Sequence, residues 1–199
     1  MIAILTGDLI KSQKEDAKLW LPTLKEALNH FGPTPKQWEI YRGDSFQLET
    51  SATEALTAAL LLKASLKTYK KLDVRLAIGL GEKSHNAANI TEANGTAFVH
   101  SGQCFDQLKK HTLAIQSAQT DFDTEFNLLF RLAALTMNSW PPVTARIVKT
   151  AILNPEMDQS ELAALLDKDQ PYISRALKRA GYEELLQLNQ HYKHKLSNL

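Results

Sequence analysis

The hydrophobic and polar positions of the chain change period several times, and each change predicts an element. The apolar run Ile2-Ala3-Ile4-Leu5, closed by Thr6-Gly7-Asp8, predicts a short buried strand ending in a tight turn. After Ser12, Leu19, Leu24, Ala27, Leu28 and Phe31 recur at helical spacing, and Gly32-Pro33 stops that helix. Trp38 and Ile40, then Phe46 and Leu48, alternate with polar residues around Gly43-Asp44, the pattern of two strands joined by a two-residue hairpin turn. Thr53 is placed to cap an alanine- and leucine-rich helix over 54–71, apolar on one side. Val74, Leu76 and Ile78 then alternate up to Gly79 and Gly81 as a further strand. The order so far is βαββαβ. A polar loop over 82–94, a helix over 95–110 weakened by Gly102, and a last strand over 111–117 complete this part.

The remainder reads as helical. Phe122, Phe126, Leu129, Phe130, Leu132, Ala133 and Leu135 mark a strong helix leading to Trp140-Pro141-Pro142, where the double proline predicts a boundary. We therefore expect an α/β domain over 1–118, a connecting helix over 119–142 and an all-α domain over 143–199. Within the last, Leu162, Ala163 and Leu166, followed by Ile173 and Leu177, reproduce helix-turn-helix spacing. The small Ala163 falls where two such helices cross, Asp167 takes the turn position usually held by glycine, and Asp169 is placed to cap the second helix. That helix offers Gln170, Pro171 and Tyr172 to base edges and Ser174, Arg175, Lys178 and Arg179 to phosphates. The competing reading is an ordinary helical hairpin with a solvated basic face.

Charge constrains this expectation. The chain carries 23 basic and 22 acidic residues, so its overall field cannot hold a polyanion and nucleic-acid contact must rest on local clustering. Even over 143–199 there are eight basic residues against seven acidic, so DNA binding would gain from a homodimer. The single cysteine, Cys104, excludes an internal disulfide framework and fits a reducing compartment. The start of the chain lacks the basic region of a signal peptide, and the longest uncharged apolar run, 55–62, falls well short of a membrane span. A cytoplasmic protein without a membrane contact is expected.

Two aspartates carry the candidate chemistry of the first part. Asp8, at the predicted end of the first strand, and Asp44, at the hairpin tip, meet if their strands are neighbours. Paired carboxylates at strand ends suit Mg²⁺ holding a nucleotide phosphate, with the backbone amides of Leu9, Ile10, Lys11 and Ser12 cradling that phosphate. The plainer reading is that Gly-Asp is a good turn dipeptide used twice.

The ordered set Asp8-Leu9-Ile10-Lys11-Ser12, Gly43-Asp44-Ser45-Phe46, Val74 to Glu82 and Gly95-Thr96-Ala97-Phe98 resembles the motifs of class III nucleotide cyclases and their polymerase-palm-like relatives. Over nearly its full length, and best over 41–46 and 95–106, the chain resembles the SatD family of bacterial proteins, which join such a domain to a helix-turn-helix. The resemblance implies an α+β fold, with a ferredoxin-like, palm (nucleotide-cyclase-like) βαββαβ domain followed by an all-α helix-turn-helix domain. It also implies a transcriptional regulator in which Asp8 and Asp44 bind metal, and Arg42 joins the nucleotide or phosphate site. Departures from the cyclase pattern are specific. Ile40 stands where cyclases select the purine with lysine, and Val99 and Gln103 stand where they use asparagine and arginine. Cyclisation is therefore not expected, since each missing preorganised donor costs a few kcal/mol of barrier. Lys11, Arg42 and Arg75 are partial substitutes. The alternative is a Mg²⁺-dependent nucleotide or phosphoryl-transfer enzyme in which the helical module is an accessory.

Other candidates carry less. His191 and His194 show the one metal-like histidine spacing, with a solvated helix end as the plainer reading. Cys104 has no obvious partner and reads as packing. Lys67, Lys70 and Lys71 read as a solvated helix end.

Overall fold

In a computed structural model, which describes residues 1–197, a five-stranded mixed sheet is packed among eight helices, so the class is α+β. The strands are β1 (Ile2–Ile10), β2 (Trp38–Tyr41), β3 (Ser45–Ser51), β4 (Asp73–Gly81) and β5 (Leu113–Gln116). The helices are α1 (Ala17–Asn29), α2 (Ala55–Leu66), α3 (Thr96–Gln107), α4 (Thr120–Met137), α5 (Pro142–Leu153), α6 (Gln159–Leu165), α7 (Gln170–Ala180) and α8 (Tyr182–Leu196). Sheet order is β2-β3-β1-β4-β5. All neighbours are antiparallel except β4 and β5, whose parallel pairing is made by the α3 crossover.

Strand alternation assigns the two faces of the sheet. Ala3, Leu5, Leu9, Phe46, Leu48, Val74, Leu76 and Ile78 join the main core, which they share with α1 and α2. Ile4, Thr6, Asp8, Arg75, Ala77 and Gly79 lie on the opposite face, where α3 packs. There Ile4 clusters with Ala97, Ala77 with Cys104, and the Thr6 and Ser101 hydroxyls meet at 2.7 Å. Gly79 lets α3 approach: a Cβ there would stand 2.2 Å from the Ser101 nitrogen and 2.3 Å from the Ala97 carbonyl oxygen.

Several local expectations are corrected. Gly7-Asp8 does not turn the chain, because β1 is paired on both sides as far as Asp8, and its pairing with β4 extends to Ile10. The hairpin loop has three residues, not two: Tyr41 pairs with Ser45, and Arg42 and Gly43 both take positive φ, 51° and 89°. Ser51, not Thr53, supplies the cap before α2, accepting from the Glu54 amide at 3.3 Å. Helix α2 is not one-sided; Lys63, Ser65 and all its apolar residues are buried, because α1, α5, α8 and the sheet surround it. Lys67 is no solvated end either. Its Nζ donates to the Asn138 carbonyl at 2.7 Å and lies 3.7 Å from Asp73.

The buried Lys63 finds compensation in two places. Its Nζ lies 2.5 Å from Asp73 Oδ1 and donates to Asn138 Oδ1 at 2.6 Å, tying α2 to the start of β4 and the end of α4. Burial pulls its pKa below the ordinary lysine value, and Asp73 opposes that pull.

The hydrophobic core runs without interruption from the sheet into α4, α5, α7 and α8. Trp140, just before the two prolines, is 3% exposed, and its Nε1 donates to the Ala180 carbonyl at 3.1 Å. Tyr192 of α8 reaches the other way, donating from its hydroxyl to the Ala52 carbonyl at 2.9 Å. Among the described residues no helix is long and apolar enough to cross a membrane.

Candidate functional sites

The strand registers place four polar residues in one row across the sheet. Tyr41 of β2 pairs with Ser45 of β3, Ser45 with Asp8 of β1, and Asp8 with Arg75 of β4. Directly paired residues project to the same face, so the row lies beside α3, and all four side chains are half-buried. Arg75 holds Asp8 with both ends of its fork: Nε donates to Oδ1 at 2.9 Å and Nη2 to Oδ2 at 2.5 Å. Its guanidinium also lies 5.5 Å from the centre of the Phe105 ring, which α3 carries over the sheet. The hydrogen bond to Asp8 raises the Arg75 pKa above its already high ordinary value. Burial raises that of Tyr41, with Arg42 opposing and Asp8 reinforcing the shift.

Asp44 is held separately. Its Oδ2 accepts from the Ser12 hydroxyl at 2.5 Å, and its carbonyl accepts from the Leu9 amide at 3.2 Å. Asp8 and Asp44 thus sit at the same end of the sheet, each with its own partner. Ile10 is paired with Asp73 in the ladder, whereas Lys11 leaves the strand in a left-handed conformation, φ 65°. Lys11 and Arg42 are exposed.

A Mg²⁺ ion here would have to share its oxygens: both Asp8 oxygens accept from Arg75, and Asp44 Oδ2 accepts from Ser12. No group of three metal-ligating His, Cys, Asp or Glu side chains gathers among the described residues. His191 Nε2 donates to Glu125 Oε1 at 2.6 Å. The row instead presents an arginine over an aromatic ring, a tyrosine and a serine, a surface able to meet an oxyanion if Arg75 exchanges Asp8 for it.

The second candidate is the α6–α7 pair. Asp158 and Glu161 close a reciprocal capping box at the start of α6, and Asp169 Oδ1 accepts from the Tyr172 amide at 2.7 Å to cap α7. Between them Asp167 takes φ 52°, and Lys168 N donates to the Ala163 carbonyl at 2.9 Å. Ala163 is 4% exposed. Ile173, Ala176, Leu177 and Ala180 anchor α7, while Gln170, Pro171, Arg175, Lys178 and Arg179 are exposed and Tyr172 and Ser174 half-buried. Gln170 Nε2 donates to Gln159 Oε1 at 3.0 Å, bringing the starts of the two helices together. Lys178 and Arg179 also border a groove lined by Leu129, Leu132 and Leu188.

The Tyr41 and Phe105 contributions escaped sequence reasoning. Tyr41 has a signal, alternation with Trp38 and Ile40; Phe105 has none, because only the α3 crossover brings it over Arg75. Comparison with known protein families, with characterised proteins and with solved structures returned no match.

Proposed function

We propose that the chain is a cytoplasmic DNA-binding transcriptional regulator of the SatD kind, with a ferredoxin-like, palm-derived sensing domain and a helix-turn-helix module, acting as a homodimer. The observation that carries this reading is α7 itself. One face is locked into the core, and the other presents exposed Arg175, Lys178 and Arg179 behind an exposed Gln170. The same arrangement allows Gln170, Pro171 and Tyr172 to face base edges while Ser174, Arg175, Lys178 and Arg179 hold phosphates.

The sensing site of this proposal is the Tyr41-Ser45-Asp8-Arg75 row with the neighbouring Lys11, Ser12 and Arg42, and its ligand a nucleotide or other phosphorylated small molecule. Arg75 supplies the cation that such a ligand needs, so Mg²⁺ is not a requirement of the reading. The alternative of a phosphoryl-transfer enzyme needs Asp8 and Asp44 free for metal, and the Arg75 fork on Asp8 counts against it.

Retention on duplex DNA, followed by fluorescence polarisation across a salt series, tests the proposal. Arg175→Ala with Arg179→Ala should weaken binding at least tenfold at low salt and reduce the salt slope by about 2, as expected for two lost phosphate contacts. Unchanged binding would overturn it.

A further inference from the structure

The first residues of α6 and α7, Gln159 and Gln170, are joined side chain to side chain. Gln170 Nε2 donates to Gln159 Oε1 at 3.0 Å, and both residues are exposed. The acidic residues that precede them do not compete for this pair. Asp158 Oδ1 accepts from the Ser160 and Glu161 amides, and Asp169 Oδ1 accepts from the Tyr172 amide. Pro171, next in α7, stiffens the backbone on which Gln170 stands. Two long exposed amides that water could serve as well add little to stability by pairing, and ordering them costs rotamer freedom. What the contact does change is orientation, because it fixes which groups Gln170 has left.

A side-chain amide carries two N–H donors and an oxygen that only accepts. With one N–H given to Gln159, Gln170 retains one donor and its oxygen, and neither has another partner among the described residues. In the major groove adenine offers the complement, an N6–H donor beside an N7 acceptor. Guanine offers two acceptors, O6 and N7, and Gln170 no longer has the second N–H they would need. Cytosine and thymine each present a single hydrogen-bonding group there. We infer that Gln170 reads an adenine, and that Gln159 is the positioning residue that turns it from a side chain able to serve either purine into one that prefers adenine. The inference rests on the DNA-binding reading of α7 and adds to it the base that is read and a residue outside α7 that selects it.

The test is selection by the full chain from a pool of duplexes of random sequence, followed by polarisation competition between the enriched duplex and its single-base-pair variants. The enriched duplexes should share an A·T pair whose change to G·C weakens binding of the parent at least tenfold. Gln170→Ala should bind the two duplexes within about twofold of one another, because the group that reads the base is gone. Gln159→Leu, which offers no acceptor, should narrow the adenine preference several-fold. Gln159→Glu, whose carboxylate can only accept, should preserve the ratio while its charge lowers affinity for both duplexes. Both positions are exposed, so none of these variants disturbs the core. The inference is overturned if Gln170→Ala keeps the preference, if the position that depends on Gln170 is a guanine, if Gln159→Leu behaves like the parent, or if Gln159→Glu behaves like Gln159→Leu. None of these results touches the regulator reading while retention still depends on Arg175 and Arg179; a parent that retains no duplex at all overturns both.

Discussion

Arg75 grips Asp8 from the neighbouring strand, and the two residues face one another directly in the β1–β4 ladder. A carboxylate so held is neutralised before any metal or ligand arrives, which changes the chemistry that the Gly-Asp motif implied. Removing the cation leaves a half-buried anion behind. Arg75→Met should therefore cost about 1 to 2 kcal/mol, the range of a charge-assisted hydrogen bond discounted for partial exposure. Urea unfolding of Arg75→Met, Asp8→Asn and the double variant would show coupling; strictly additive costs would deny it.

The two glycines facing α3 from within and beneath it should respond in opposite directions. Gly79→Ala drives a methyl group into the α3 backbone, so about 2 to 3 kcal/mol should be lost by overpacking. Gly102, inside α3, has open space around the position of its missing Cβ, and Gly102→Ala should gain about 0.5 to 1 kcal/mol from helix propensity. Thermal melts followed by circular dichroism distinguish the two, and a stabilising Gly79→Ala would contradict the close approach of α3.

The Lys63–Asp73 pair should behave as a unit. Lys63→Met leaves the Asp73 carboxylate with the Val74 amide and, as its nearest cation, the more distant Lys67 at 3.7 Å, so the variant should lose about 2 to 3 kcal/mol. Adding Asp73→Asn should restore part of that loss in chemical denaturation. If the second change deepens the loss by its full separate cost, the pair is not coupled.

At acid pH the clamp between α4 and α8 should weaken. Hydrogen bonds from His191 and then Lys195 hold the Glu125 pKa below its ordinary value. A carboxylate with a depressed folded-state pKa adds stability above its unfolded value, and that stability disappears as pH falls through the folded value. The melting-temperature difference between the parent and Glu125→Gln should accordingly be present at neutral pH, begin to shrink as pH falls past the ordinary glutamate value of about 4.3, and vanish only below the depressed folded value. Glu125 is part-exposed, so the difference will be small and should shrink in high salt.

Cys104 should be chemically quiet. Burial, assisted by Asp123, pushes its pKa up to about 12, so almost no thiolate exists at pH 8. Iodoacetamide should label the native protein far more slowly than the urea-unfolded chain; equal rates would contradict the packing of α3 on β4.

The order of elements was legible in the amino-acid sequence because period is a local property: Trp38, Ile40, Phe46 and Leu48 alternate wherever the hairpin is placed. So were the Asp169 cap and the left-handed Asp167, whose conformations depend on residues only a few positions away. What surrounds α2 was not legible. Its alanines and leucines look like one apolar face until α5 and α8, which begin only at Pro142 and Tyr182, close over the other side. The candidate sites divide in the same way. Residue type, local spacing and resemblance singled out Asp8, Asp44, Arg175 and Arg179, but pairing register decided that Asp8 meets Arg75, and the α3 crossover decided that Phe105 lies over it. Register and crossover are set by contacts between distant segments, and no local period encodes them.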